Sequence, residues 1–148
     1  MSHPEPALGS EAAPPEGFQP LFRTSPFLDL VGPLFWRPEG ESFTVGMRVL
    51  PRHVNGSGTM HGGLIATLAD VSLGYVTAGS RKPPLRMATA SLALDYMGAA
   101  PLGSWVQARV TIDKIGRHMA FASASIAAEG RPVATARALF AVLEQPSS

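Results

Sequence analysis

Cysteine is absent from the 148 residues, and this absence excludes several classes of protein. Without cysteine there is no disulfide framework, no thiolate nucleophile and no cysteine-based zinc site. The four histidines form no His-x-x-x-His or Glu-x-x-His pair, so we expect no metal site. A chain without disulfides fits a reducing compartment, and we expect it to be cytoplasmic.

The chain also has little net charge and no long apolar run. The 12 Lys and Arg residues nearly balance the 11 Asp and Glu residues, which leaves a net charge of +1. Such a balance favours neither nucleic acid nor an anionic membrane surface as a partner. Apolar stretches are interrupted well before the roughly 20 residues that span a bilayer. We therefore expect neither nucleic acid nor membrane among the partners.

One domain accounts for most of the chain. Residues 1–17 contain several Pro and Glu residues and lack the basic start and apolar centre of a signal peptide, which predicts a disordered tail. The remaining residues, 18–148, are enough for a single packed core, given an apolar content of 45%.

Local patterns predict a short helix, a hairpin, one long helix and four long strands. Ser25 and Pro26 are typical of a helix start, and Gly32 followed by Pro33 is typical of a helix end. Apolar residues recur at helical spacing in residues 64–75 and alternate with polar ones in the strand segments. In chain order the predicted elements are helix 25–33, strands 34–38 and 42–50, helix 64–80, and strands 87–97, 105–115, 119–128 and 133–143.

The long helix contains a single charged residue, Asp70. A helix this apolar has to be buried on most of its sides. One long antiparallel sheet folded around the helix would bury it. The sequence therefore predicts an α+β fold in which the sheet wraps around one central helix.

A glycine-rich loop, residues 55–63, leads into this helix. It matches neither a dinucleotide fingerprint, nor a P-loop, nor a serine-hydrolase elbow. The first amides of a helix have no partner within it and lie at the positive end of its dipole. Gly62 and Gly63 would let a substrate carbonyl approach these amides closely, as an oxyanion hole requires. The alternative is that the glycines only turn the chain into the helix.

Asp70 is the second candidate for a catalytic group. Burying a carboxylate without a partner costs several kcal/mol, so a carboxylate in a buried apolar helix indicates a function. It could act as a general base for water or as a nucleophile on the carbonyl carbon. The alternative is an Asp that forms a hydrogen bond with a neighbouring strand.

His61 and Asp70 are too far apart on one helix to act together. Asp70 lies nine positions after His61, which on a helix means about 13 Å of rise and about 180° of rotation. If both act in one site, the helices of two subunits must lie side by side and antiparallel.

The residues that carry a resemblance are Asn55, His61, Gly62, Gly63 and Asp70. Their spacing resembles that of the PaaI-like hotdog acyl-CoA thioesterases, the type found in phenylacetate degradation. The resemblance extends from about residue 18 to residue 143. It implies a hotdog fold, a homodimer with two sites at its interface, and commonly a dimer of dimers.

The resemblance also implies roles for these residues. The Gly62 amide would polarise the thioester carbonyl, while Asn55 and His61 help to place substrate or water. The partner's Asp70 would drive hydrolysis. A Ser or Thr is expected beside this carboxylate on the strand after the helix, and the alignment favours Thr89.

Ser91 is the second choice for that hydroxyl. The assignment depends on the alignment, because a shift of one residue in strand register moves every side chain to the other face. Gly63, Arg117 and His118 are the expected substrate-binding residues, because the family often places the CoA phosphates near the turn that contains the last two. Residues 98–101 depart from the polar or basic and Pro-containing strand end that is usual in the family.

The sequence thus predicts hydrolysis of an acyl-CoA thioester, with coenzyme A as part of the substrate and no separate cofactor. An acyl-CoA is favoured over an acyl carrier protein, because the chain has no marked basic patch. Two alternatives remain. One is a non-catalytic acyl-CoA binder. The other is an enoyl-CoA hydratase or dehydratase of the same fold, whose His-Phe-Pro-Gly and Asp-x-Asn-x-x-His signatures are missing here.

Overall fold

The computed structural model describes residues 11–144. Its first helix, α1 (Pro26–Val31), has the predicted start, because the Ser25 hydroxyl accepts a hydrogen bond of 3.3 Å from the Leu28 amide. The helix ends at Gly32, whose amide donates to the Leu28 carbonyl at 2.8 Å. The predicted short helix is confirmed.

The long helix, α2 (Gly62–Gly79), begins two residues before the predicted start at residue 64. The cause is His61, whose imidazole caps the Gly63 amide and lets the helix include both glycines. Leu68 and Leu73 on this helix have no exposed surface. The central, largely buried helix predicted from its lack of charge is confirmed.

Within residues 11–144, seven strands form one antiparallel sheet in the order β1-β2-β3-β5-β6-β7-β4. The predicted hairpin and the four long strands are confirmed, and so is the α+β class. A short 3-10 turn, Pro51–His53, follows β3. The strands are β1 (Gln19–Pro20), β2 (Phe35–Glu39), β3 (Ser42–Arg48), β4 (Met87–Tyr96), β5 (Trp105–Ile115), β6 (Met119–Ala128) and β7 (Arg131–Val142).

Small side chains on β6 and β7 form the part of the core beneath α2. Because alanine projects only a methyl group, a helix can lie close to a strand that carries it. Phe140 on β7 fills the space beside Gly74, where an added Cβ would lie 3.8 Å from its ring. The buried alanines on these two strands are Ala120, Ala122, Ala124, Ala128, Ala134, Ala136 and Ala138.

The disorder predicted for residues 1–17 is wrong for residues 11–17, which pack on the domain. The Arg48 guanidinium donates two hydrogen bonds to the Ala13 carbonyl, at 2.8 and 3.3 Å, and Ala12 is only 7% exposed. A backbone carbonyl makes the contact, so composition gave no sign of it. The remaining tail residues, 1–10, lie outside the described residues, as do residues 145–148 at the end of the predicted domain.

The two edges of the sheet differ. One edge is β1, with only two residues, and the other is β4, with ten. A long edge strand offers a row of unpaired amides and carbonyls to another strand. Between residues 11 and 144 no helix has the length and apolar character needed to cross a membrane.

Candidate active site

Asn55 shapes the loop that precedes α2. Its side-chain oxygen accepts hydrogen bonds from the amides of Ser57, at 2.9 Å, and Thr59, at 3.3 Å. Its side-chain nitrogen donates to the Thr59 hydroxyl at 3.1 Å. These local bonds form an Asx-type turn. The predicted site residue Asn55 is thus exposed and held within its own loop.

The start of α2 leaves one amide open. The Gly63 amide donates to His61 Nδ1 at 2.9 Å, while the Leu64 and Ile65 amides both donate to the His61 carbonyl, at 2.9 and 3.1 Å. The Gly62 amide has no hydrogen-bond acceptor anywhere in residues 11–144. It lies at the positive end of the helix dipole, where a developing oxyanion is stabilised.

The hydrogen bond at His61 also assigns the protonation of its ring. Because Nδ1 accepts from the Gly63 amide, the neutral ring carries its proton on Nε2. The imidazole is exposed. In this state the exposed Nε2 is a hydrogen-bond donor.

Asp70 lies on the middle of α2, half-buried, and contacts Thr89. The Thr89 hydroxyl donates to Asp70 Oδ1 at 2.9 Å, so the carboxylate has the strand partner that its burial requires. Both residues line a cavity of about 840 Å³ between α1, α2 and the start of β4. Most of the other walls are apolar, among them Phe27, Val71, Met87, Leu92 and Phe140.

A bulge in β4 decides which hydroxyl reaches the carboxylate. Thr89 pairs with Phe140 and Ser91 pairs with Leu139, so Ala90 is an extra residue between them. The bulge places Thr89 on the helix side of the strand with Leu92, and both line the cavity, whereas Ser91 does not.

A single chain keeps the open amide and the carboxylate apart. Gly62 and Asp70 are eight residues apart on one helix, about 12 Å along its axis. Strand β4 contacts both ends of this arrangement. Its Thr89 bonds Asp70, and near its other end the Tyr96 hydroxyl donates to the Gly62 carbonyl at 2.6 Å.

Arg117 and His118 lie away from this cavity in a single chain. They form the exposed turn between β5 and β6, and neither lines the cavity that contains Asp70. The His118 carbonyl accepts from the Val142 amide at 2.8 Å, which fixes the turn against β7. No cluster of three or more His, Asp or Glu residues in the described part of the chain could hold a metal ion.

The segment 98–101 supports the loop from the other side. Met60 donates its amide to the Ala100 carbonyl at 2.8 Å, and Thr59 pairs with Pro101. A Cβ at Gly98 would lie 2.5 Å from the Pro132 carbonyl oxygen, so only glycine allows this close approach. The packing of this segment therefore requires glycine at position 98.

His53 is a residue that the sequence did not place in the site. Its Nδ1 accepts from the Leu50 amide at 2.9 Å, and its Nε2 lies 3.2 Å from the Gly32 carbonyl at the end of α1. Its own carbonyl accepts from the His61 amide at 2.9 Å. The side chain is only 3% exposed. His53 thus ties α1 to the turn that holds the start of α2.

Burial lowers the pKa of His53 below its ordinary value of 6.5, and the neighbouring Arg52 guanidinium lowers the pKa further. Hydrogen bonds to the backbone carbonyls of Gly32, Val31 and Arg48 oppose these effects. The folded protein therefore holds the ring neutral. A neutral ring is required, because a protonated Nδ1 could not accept from the Leu50 amide.

We expect the folded state to lose stability as the pH falls through 6.5 and then through the lower folded-state pKa of His53. In that window the unfolded chain binds more protons than the folded one, so the free energy of unfolding rises with pH. Thermal unfolding of the wild type and His53→Gln, followed from about pH 8 to pH 5, measures the difference. The wild type should show the steeper fall in Tm. Parallel curves for His53→Gln and wild type would contradict the assignment.

The architecture is that of the hotdog fold, with one long helix wrapped by an antiparallel sheet, as predicted. A model of the thioesterase superfamily matches residues 57–135, more than half of the chain. The chain therefore belongs to the thioesterase superfamily, and its predicted class of enzyme, a thioesterase, is confirmed.

Relatives agree with this assignment. A Pseudomonas aeruginosa protein named as an esterase is 50% identical over 127 residues, covering 85% of this chain and 95% of that protein. Mouse acyl-coenzyme A thioesterase 13 is 33% identical over 87 residues, covering 58% and 61%. The structure of a variant of the phenylacetic acid degradation protein PaaI from Thermus thermophilus superposes with a TM-score of 0.70 at 25% identity, covering 80% and 100%. The PaaI-like resemblance is thus confirmed.

Proposed function

We propose that the protein hydrolyses an acyl-CoA thioester to a free acid and CoA. The observation that carries the proposal is the single open amide of Gly62 at a helix start, in a chain that also holds Asp70 at the wall of a largely apolar cavity. An amide without an acceptor can bind a developing oxyanion, and a cavity with apolar walls can take an acyl group. The mouse relative, which is named as an acyl-coenzyme A thioesterase, supports CoA as the thiol.

Asp70 drives the attack in this proposal. As a general base it takes a proton from water while the water oxygen bonds to the carbonyl carbon. The negative charge moves to the carbonyl oxygen, which accepts from the Gly62 amide. When the carbon–sulfur bond breaks, the CoA sulfur takes the proton back from Asp70. In the alternative route Asp70 is the nucleophile: its oxygen bonds to the carbonyl carbon, the carbon–sulfur bond breaks and the CoA thiolate leaves. Water then hydrolyses the resulting acyl–Asp70 anhydride, which regenerates the carboxylate and releases the acid, and the remaining proton goes to the thiolate.

The surrounding groups position the carboxylate, the substrate and the Gly62 amide. Thr89 holds one oxygen of the Asp70 carboxylate and leaves the other free for water. His61 donates from Nε2 to the substrate, and Asn55 keeps the loop in the shape that exposes the Gly62 amide. We further propose that Arg117 and His118, exposed on their turn, bind the CoA phosphates.

The site is completed by a second copy of the chain. Strand β4 contacts Asp70 of α2 through Thr89 near one end and Gly62 of α2 through Tyr96 at the other. Antiparallel pairing of β4 with the same strand of a partner, about a two-fold axis near its middle, would bring the Thr89 end of one chain to the Tyr96 end of the other. The open amide then faces the partner's Asp70. We propose this homodimer as the active unit, with pairs of dimers as the larger assembly and the cytoplasm as the location.

The test is release of free CoA thiol from a panel of acyl-CoAs that includes short and long aliphatic and aromatic acyl groups. We expect turnover of at least one member. Tight binding of CoA without hydrolysis across the panel would favour the non-catalytic binder. Addition of water to an enoyl-CoA would favour the hydratase.

A further inference from the structure

The Gly62–Gly63 peptide is hydrogen-bonded on both of its sides. Its carbonyl oxygen accepts from the Tyr96 hydroxyl at 2.6 Å, and its N–H donates to His61 Nδ1 at 2.9 Å. Because a peptide unit is planar, two anchors on opposite sides fix its orientation. The Tyr96 ring lies against the same residue, since a Cβ at Gly62 would be 3.5 Å from its Cζ.

Glycine makes such anchors necessary. Two successive glycines have no side chains to pack and lose the most conformational freedom on folding. An oxyanion donor is effective only if it already points to where the charge develops. The Gly62 N–H belongs to the preceding peptide, which is joined to the Gly62–Gly63 peptide through the Gly62 Cα. When the Gly62–Gly63 peptide is held in place, the direction of the N–H depends on the backbone angles of Gly62.

We propose that Tyr96 is a positioning residue, whose hydroxyl clamps the Gly62–Gly63 peptide and thereby aims the Gly62 amide at the thioester carbonyl. This inference rests on the proposed function. The hydroxyl itself donates to a backbone carbonyl and takes no part in proton transfer. Tyr96 lies on β4, the strand that also presents Thr89 to Asp70. Strand β4 therefore positions both groups that the chain contributes to catalysis, the Asp70 carboxylate and the Gly62 amide.

The location on β4 gives the clamp a second consequence. Tyr96 is 53% exposed in a single chain and lies on the open edge of the sheet. In the proposed dimer the partner strand would pack along this edge and restrict Tyr96. Dimer formation would then order the amide of each chain as well as supply the missing carboxylate.

The test is Tyr96→Phe, which removes one hydroxyl and keeps the ring. We expect kcat to fall roughly 10-fold for an aliphatic and an aromatic acyl-CoA alike, with KM within about 2-fold of wild type. The shape of the pH profile should not change, and light scattering should show the wild-type assembly. Hydrogen exchange of the Gly63 amide, followed by NMR, should be faster than in the wild type.

Three results would overturn the proposal. An unchanged kcat would show that the hydroxyl is dispensable. A loss confined to one acyl group would make Tyr96 a wall of the acyl pocket, and loss of a limb of the pH profile would make it a proton donor. If the wild type hydrolysed no acyl-CoA, the proposed function would fail, whereas the exchange rate of the Gly63 amide would still report on the clamp.

A double variant tests whether Tyr96 and His61 act on the same peptide. If they do, Tyr96→Phe should cost much less in a His61→Ala background than in the wild type, since the peptide is already released on one side. Losses that simply multiply would show two independent roles and contradict the shared clamp.

Discussion

Replacement of Asp70 by Asn is expected to lower kcat by about 1,000-fold, the middle of the range of about 100- to 10,000-fold for loss of a proton-transferring group. Asn has nearly the shape of Asp and keeps an oxygen that can accept from the Thr89 hydroxyl, so the cavity should remain intact. An amide can neither take a proton from water nor attack the carbonyl carbon. KM should change little, because the carboxylate acts on the reacting atoms and does not hold the CoA.

The matched control is Asp113→Asn on β5. Asp113 also accepts from a hydroxyl, that of Ser123 at 3.5 Å, but it is exposed and lies outside the cavity. We expect wild-type thiol release from this variant. Equal turnover by Asp70→Asn and wild type would remove Asp70 from the chemistry. Mass spectrometry of enzyme quenched during turnover separates the two routes, because only the nucleophile carries the acyl group.

The parts of the site that could be predicted from the sequence are those with a local signal. A single charge in an apolar helix identifies Asp70, and two glycines after a histidine identify the helix start. The capping by His61 is equally local. It extends α2 to Gly62 because the ring nitrogen Nδ1 accepts the hydrogen bond from the Gly63 amide, and the sequence does not show which ring nitrogen is the acceptor. Periodicity alone therefore placed the helix start two residues late.

The parts that could not be predicted depend on contacts between distant segments. Thr89 and Ser91 are two residues apart and would share a face in a regular strand, and only the bulge at Ala90 separates them. His53 reaches the end of α1, 21 residues earlier in the chain, and Tyr96 reaches a carbonyl 34 residues earlier. Neither contact leaves a pattern that spacing or hydropathy can detect.

Substitution of Gly62 by Pro is expected to lower kcat by about 100- to 1,000-fold, the cost of removing one oxyanion donor. Proline is well suited to the first position of a helix, and it deletes the N–H without disturbing an existing bond, because the Gly62 amide has no acceptor in residues 11–144. The preceding residue also fits, since His61 has φ −59° and ψ 133°, which lies in the extended region that proline favours before it.

Gly62→Ala is the matched variant, because it adds a Cβ at the same place and keeps the N–H. That Cβ would lie at an ordinary contact distance of 3.5 Å from the Tyr96 ring. We expect Gly62→Ala to retain at least roughly 10 times the kcat of Gly62→Pro. Equal losses in both variants would show that space at this position matters and the amide does not.

Combining the Asp70→Asn and Gly62→Pro substitutions in one assembly tests whether each site is built from two neighbouring chains. Asp70→Asn chains keep the open amide, and Gly62→Pro chains keep the carboxylate. When the two are co-expressed in equal amounts, half of the sites take their amide from the first variant, and half of those take their carboxylate from the second. About a quarter of the sites should then be intact, and about a quarter of the wild-type activity should return. A site built within one chain would stay broken in every combination, because each chain lacks one of its two groups.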